Sequence, residues 1–236
     1  MVGIFALVLE SNPKLSWRDL QHLVVNTSRM TDHLDSDWQT NGAGFHVNHK
    51  YGFGVLDAGA LVRLATSSTW TSSKKRMMCK FFQKFIPNKV IPGNGHVGLV
   101  INSTGCLKPN KCVTKLEHVK VYVSLRHKHR GSLRITLTSP AGTRSELLAP
   151  RKRDTSQYGL RWWFMTVFSW GESPVGVWRL NVTDTSGGLG FIKRWSLRFY
   201  GTCDYIRNKK RDKKLLLIRP NLVKRREKTK ELKDSN

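Results

Sequence analysis

The 236 residues contain no apolar run long enough to cross a bilayer, which takes roughly 20 residues as a helix. The longest is the eight residues Val2 to Leu9, and near the C-terminus Lys213 to Arg219 encloses only the four residues Leu215 to Ile218. The first also lacks the basic leader and small-residue cleavage site of a secretory signal, so no signal peptide is read in it. There is no Cys-x-x-Cys pair, which argues against a zinc knuckle or a thioredoxin-type motif. No Gly-Lys-Ser/Thr follows the glycines of Asn41 to Gly44 or Tyr51 to Gly54, so neither is a phosphate loop. Acidic residues are scarce: 16 against 41 Lys and Arg, a net charge of +25. From Asp204 to Asn236 there are 13 basic and 5 acidic residues, a net of +8, which leaves +17 on the rest. Such a balance favours contact with polyanions, anionic membrane or acidic protein segments and says nothing about fold.

What is present points to a packed domain. Eight Trp are many for this length and favour a real core over disorder. Val2 to Leu9 is apolar on every side, and a helix of that kind has to be buried all round. Leaving its apolar side chains in water would forgo on the order of 10 kcal/mol, comparable to a domain's whole stability. Nothing in the next sixty residues looks able to enclose it, so its packing partners are expected upstream. Ser16 is a good N-cap, with Asp19 placed to complete a capping box, and Trp17, Leu20, Leu23 and Val24 then form one helical stripe. Asp57 caps a shorter helix through Leu61, Val62 and Leu64. Thr66 to Lys75 is rich in Ser, Thr and Lys and reads as a linker.

From Cys79 the period changes to two. Val119, Val121, Val123 and Leu125 alternate with polar partners, as do Leu133, Ile135 and Leu137, then Trp178, Leu180 and Val182, then Trp195, Leu197 and Phe199. Alternation of this kind marks half-buried strands. Turn signals fall between them at Arg130-Gly131, Pro140-Ala141-Gly142, Gly171-Glu172-Ser173-Pro174 and Gly187-Gly188. Many short strands over about 125 residues predict a β-sandwich or jelly roll. After Cys203 the chain is highly charged and patternless, and by composition a disordered tail is expected. The expected division is therefore 1–65 helical, 66–78 linker, 79–203 sandwich and 204–236 basic tail.

Two stretches resemble one family in order. Gly3 to Val25 (GIFALVLESNPKLSWRDLQHLVV) with Asn41 to Val62 is similar to the end of the catalytic domain of subtilisin/kexin-like, furin-type proprotein convertases. Leu116 to Gly159, Trp162 to Asp184 and Trp195 to Thr202 resemble their P domain, also called Homo B. The fold implied is mainly β: a jelly-roll-like sandwich preceded by a small helical remnant of an α/β subtilisin-like domain. The activity implied is calcium-dependent serine endopeptidase cleavage of precursors after paired basic residues, in the secretory pathway. The family's nucleophile lies just before the segment matching Gly3, and its Asp, His and oxyanion Asn lie further upstream. The chain by itself is therefore expected to be inactive, with no cofactor of its own and the upstream catalytic domain as its partner; calcium belongs to the complete enzyme.

The resemblance also assigns structural residues. Cys79 and Cys106 stand where the P domain carries a disulfide, whereas Cys112 and Cys203 are left either paired or free. Trp170-Gly171-Glu172 is the most family-specific short motif. Trp162, Trp163, Phe164, Trp170 and Trp178 are candidates for the sandwich core and the interdomain face, and Trp195 belongs to a family-like strand. Where the family often has Arg-Gly-Asp, Arg130-Gly131-Ser132 lacks the carboxylate and reads as a hairpin tip. Asn102 and Asn181 head sequons and are glycosylation candidates, as is Asn26 by sequence. His127 and His129 flank the same turn, and the bland reading is a solvated turn rather than a metal site. Asp32, Asp35 and Asp37 alternate like a calcium loop but lack its Gly and terminal Glu. A second function class is a non-catalytic module holding polyanions through its basic surface and residues 204–236. Nucleic acid is the weaker version, since no aromatic follows Tyr205 in the tail.

Overall fold

The computed structural model describes residues 1–82, 89–105 and 111–203. The basic tail and Cys106 lie outside the described residues. The chain starts with helices α1 (Val2–Ser11) and α2 (Trp17–Thr27), a two-stranded ribbon β1 (Gln39–Thr40) and β2 (His46–Val47), and helix α3 (Ala58–Thr66). Local chemistry sets their starts. Ser16 Oγ accepts from the Asp19 amide at 3.2 Å while Asp19 Oδ2 accepts from the Ser16 amide at 2.8 Å, the reciprocal capping box. Asp57 Oδ1 accepts from the Ala60 amide at 2.9 Å and caps α3.

These helices share a small core of Val8, Leu15, Leu23, Leu61 and Ala65. It corrects two expectations. Helix α3 does cover one side of α1, burying Val8 completely, yet the opposite side stays in solvent: Val2 is 84% and Leu7 53% exposed. Trp17 is also largely exposed, because it sits on the first turn of α2 beyond the reach of that core.

The sandwich follows, with β3 (Met77–Phe82) starting inside the segment expected to be linker. After it come β4 (Lys89–Ile91), β5 (His96–Ser103), β6 (Lys115–His127), β7 (Leu133–Thr138), β8 (Arg144–Leu148), β9 (Leu160–Thr166), β10 (Gly176–Asp184) and β11 (Gly190–Thr202). One sheet has the order β5-β10-β7-β8; the other has β3-β11-β6-β9, with β4 also on β11. All described pairings are antiparallel. The inner faces meet in a core where Trp178, Trp195 and Phe199 are fully buried. Trp178 lies 5.0 Å from Phe199 between ring centroids, and its indole N–H reaches the Pro174 carbonyl at 3.1 Å, so a polar atom is satisfied inside an apolar layer.

Cys112 and Cys203 form a disulfide, with Cα atoms 5.4 Å apart and a separation of 91 in sequence. It ties the chain ahead of β6 to the end of β11. Closing a loop of that length contributes about 4–5 kcal/mol in the chain-entropy description.

Candidate functional site

The site that carries the most specific chemistry is the seam between the helical unit and the sandwich. Trp170-Gly171-Glu172 forms its centre, on the connection from β9 to β10. Gly171 has φ +79°, a backbone that favours glycine. An added Cβ there would stand 2.9 Å from Ala43 Cβ and 3.1 Å from the Phe45 ring, so the motif needs glycine for close approach as well. The Gly171 amide donates to Leu116 O at 2.7 Å and the Leu116 amide to Glu172 O at 2.9 Å, which pins the loop to the start of β6.

The helical unit reaches this loop through Asn41, a buried polar residue. Its side-chain amide donates to the carbonyls of Phe168 at 2.8 Å and Trp170 at 2.9 Å. Its Oδ1 accepts from the amides of Ala43 and Phe45, at 2.9 and 3.0 Å. Asn41 therefore folds its own loop and clamps the partner loop with one side chain. Glu172, also buried, accepts from the Gly42 amide at 2.8 Å and from the Thr143 hydroxyl through the same oxygen. A Cβ on Gly42 would fall 2.3 Å from Ala141 Cβ, so the glycine lets two backbones meet. Beside them the Gln39 side chain makes two bonds to the Arg144 backbone, at 2.6 and 2.9 Å, in the manner of a strand. His49 bridges Asp37 and the Glu146 amide, at 2.8 and 2.7 Å.

Trp170 is buried among rings from both units: His22 at 5.0 Å, His118 at 5.6 Å and Phe53 at 6.3 Å between centroids, all edge-on. Next to it Glu117 of β6, also buried, receives Arg18 Nη2 at 2.5 Å and lies 3.0 Å from His22 Nε2, both on α2. Burial pushes the Glu117 carboxyl up, but the hydrogen bonds from His22 and Arg18 outweigh it and hold the group below its ordinary value. Burial, reinforced by the charge of Arg76, lowers the His118 imidazole, which is kept neutral beside Trp170. Arg18 also donates to Lys74 O at 2.8 Å, and Asp19 accepts from the Ser73 amide at 2.6 Å, so the connecting segment is fastened to α2.

Other expected residues fall elsewhere. Trp178 and Trp195 are core, as is Phe164. Trp162 and Trp163 are neither core nor seam: Trp162 is 60% exposed on the edge strand β9, and Trp163 lies on the outer face. Arg130-Gly131-Ser132 is a single 3-10 turn. It joins β6 to β7, which lie in different sheets, so it is a crossover and not a hairpin tip. Arg130 grips Asp154 with two bonds, at 2.8 and 2.9 Å, and a Cβ on Gly131 would stand 2.2 Å from Asp154 O. The tripeptide is turned inward as a brace.

His127 is buried rather than solvated, 3.5 Å from the buried Asp184 and 2.8 Å from His129 O. Burial raises Asp184, but the Ser132 hydroxyl and the Asn94 amide more than offset it, so the carboxyl lies below its ordinary value. Asp32, Asp35 and Asp37 turn to different partners: Tyr51 OH, Lys50 with Asn48, and His49. Each carboxylate is taken up by a different partner. No group of three or more metal-binding side chains occurs among the described residues. Asn102 is exposed and Asn181 half-buried, both on the outer face of the four-stranded sheet. Cys79 is buried on β3 and is not free, while Cys106 lies outside the described residues.

Residues 116–199 match the proprotein convertase P-domain model, and residues 2–54 match the subtilase family model. The chain belongs to the proprotein convertase family. It is 47% identical over 210 residues to proprotein convertase subtilisin/kexin type 5 of Homo sapiens, covering 85% of this chain and 11% of that protein. It is 45% identical over 183 residues to PC3-like endoprotease variant B of Hydra vulgaris, covering 77% of this chain and 25% of the relative. The crystal structure of a serine protease of Aeromonas sobria superposes with a TM-score of 0.71 at 25% identity, over 85% of this chain and 42% of that one. The chain thus spans a quarter or less of the length of these two curated relatives. The seam lies where the two family models meet: Asn41 to Phe45 fall in the subtilase match and Trp170 to Glu172 in the P-domain match.

Asn41, Glu117, Arg18 and His22 were not visible as site residues from sequence alone. Asn41 sits before Gly42 and reads as an ordinary turn; only a partner about 130 residues away reveals it. Glu117 is the one acidic residue in a strand whose other charged residues are basic, and that was the available signal.

Proposed function

We propose that the chain is the C-terminal portion of a calcium-dependent serine endopeptidase that cleaves precursors after paired basic residues in the secretory pathway. Its P domain stabilises the catalytic domain by gripping that domain's last segment. The observation that supports this reading most is the Asn41–Trp170–Glu172 seam. A buried asparagine and a buried carboxylate exchange hydrogen bonds between the two family segments, a contact too specific for a loose linker. The exposed apolar side of α1 supports it too, because the remainder of a subtilase domain is the surface that such a face suits. On this reading the triad and the calcium ions are held outside the residues described here, and the chain alone leaves paired-basic peptides intact.

The test is a chimera that joins the upstream part of a related convertase, such as that of Homo sapiens, to this chain at the position matching Gly3. The chimera should cleave a paired-basic peptide, lose activity on calcium removal, and lose it through instability when Trp170→Ala is introduced. A well-folded chimera that cleaves nothing, or one that is indifferent to removal of residues 77–203, overturns the proposal.

A further inference from the structure

The outer face of the five-stranded sheet carries an arrangement that the seam does not use. Lys80 of β3, Arg198 of β11 and Lys120 of β6 are directly opposite one another in register, a cationic row across three strands. Strands lie roughly 4.8 Å apart, so the three charges are close neighbours. Four residues along the strands a second row places Arg194, Ser124 and Arg161 opposite one another. Lys80, Arg161 and Arg194 are exposed, and Lys120 and Arg198 half-exposed. Among the described residues of this sheet no carboxylate balances them: β3, β9 and β11 contain none, and the single one on β6, Glu117, is turned to Arg18 and His22. Like charges placed directly opposite destabilise a sheet. Arg198 and Lys120 recover part of this by resting over the Trp163 and Tyr200 rings, at 4.0 and 5.7 Å, but Lys80 has no such ring among the described residues and the row as a whole keeps its unbalanced positive charge, which suits an anionic ligand.

We propose that this face binds a linear sulfated polysaccharide laid across the strands, with sulfate groups over the cationic row. Guanidinium groups suit sulfate oxygens through paired hydrogen bonds, and the row supplies several contacts on one rigid surface. The aromatic rings beneath the cations favour a sulfated glycan over nucleic acid. Arg198 sits 4.0 Å over the Trp163 ring and Arg76 4.5 Å over the Tyr200 ring, so these π faces are occupied by cations and not open for base stacking. A membrane fits less well. The exposed apolar side chains Phe82 and Met165 stand on β3 and β9, the two outermost strands of this sheet's main path, and a separate exposed pair, Val90 and Phe191, lies seven residues along β11 from Arg198, so they form no single patch over the row. The disulfide Cys112–Cys203 points to an oxidising compartment, where sulfated glycans are met. The sequon residues Asn102 and Asn181 lie on the opposite sheet, so sugars there leave the cationic face open.

This surface is independent of the proteolytic reading and of the basic tail. The full chain is applied to immobilised heparin and eluted with salt, beside a face variant (K80Q/K120Q/R198Q) and a tail variant (K209Q/K210Q/R211Q). The face variant should elute at lower salt, with the slope of log affinity against log salt smaller by about three, one per cation. The tail variant should keep most of the affinity.

Equal elution of the face variant and the parent chain overturns the proposal. So does tighter binding of a single-stranded RNA or of phosphatidylserine vesicles that heparin fails to displace. Lysine acetylation of the unmutated chain gives a reading that no folding defect can obscure. Heparin should protect Lys80 and Lys120, and their unchanged modification overturns the proposal.

Discussion

The helical unit has two faces that differ sharply. Toward the sandwich it is finished: Asn41 is satisfied at every amide and carbonyl position available to it, Gly42 and Gly171 allow backbones to touch, and Trp170 is surrounded by rings. Away from the sandwich it is unfinished: Val2 and Leu7 of α1 stand in solvent. A domain that ended its own core there would be expected to place polar residues on that side of α1. On the function proposed above, the first 66 residues form a middle layer; what the difference itself teaches is that they are bonded with specificity to the sandwich and apolar on the far side.

The largest effect should come from breaking the finished face. Trp170→Ala removes the ring shared by His22, His118 and Phe53 and leaves a cavity in the seam. Large-to-small changes of this kind cost about 3–5 kcal/mol. The helical unit should then unfold at lower denaturant than the sandwich, whose core is built on Trp178, Trp195 and Phe199. Fluorescence and hydrogen exchange followed together should show two transitions in the variant where the parent shows one. A single coincident transition in the variant would mean that the seam is not what couples the two parts.

A smaller effect should appear on acidification. His118 is held below its ordinary 6.5 by burial and by Arg76. The unfolded chain therefore takes up a proton before the folded one. The His118 contribution is full above pH 6.5 and shrinks as the pH falls from there toward the folded-state value. Glu117 acts lower on the scale: held below 4.5, it keeps its contribution above that pH and loses it as the pH falls through the folded value. Melting temperature should therefore be nearly level from pH 8 to 7, decline below 6.5, and decline again below 4.5. His118→Gln should flatten the first decline and leave the second. A first decline that persists unchanged in this variant would assign it to another group.

Much of this was legible in the sequence because it is local or periodic. The Ser16–Asp19 box and the Asp57 cap follow from residue type and spacing, and the alternation from Val119 to Leu125 gives β6 its inner face. What escaped depends on which strands are neighbours. Arg130 to Ser132 reads as a hairpin tip because a tight turn between two strands looks alike whether they share a sheet or not. Trp162 alternates in phase with the core residue Phe164, and only the place of β9 at the sheet edge shows why it is nonetheless exposed. The cationic row was scattered through the chain as Lys80, Lys120 and Arg198 until register put them side by side. The partner of Cys112 is decided by strands that bring its Cα within 5.4 Å of Cys203.

The smallest effect is predicted on the unfinished face, and it sharpens the comparison most. Leu7 is 53% exposed, so Leu7→Ser removes little buried area. Exposed substitutions of this sort stay within about 0.5 kcal/mol. In this chain the variant should melt with the parent and gain solubility, since an exposed apolar patch is a route to association. In the chimera with an upstream convertase segment the same change should lower the melting temperature by several degrees, because the leucine is then expected to be covered and its loss leaves both a cavity and an unpartnered hydroxyl. The two measurements form a cycle in which only the covering of α1 differs. Equal small effects in both backgrounds would show that nothing packs there, and the middle-layer reading would fail at that face while the seam with the sandwich stood.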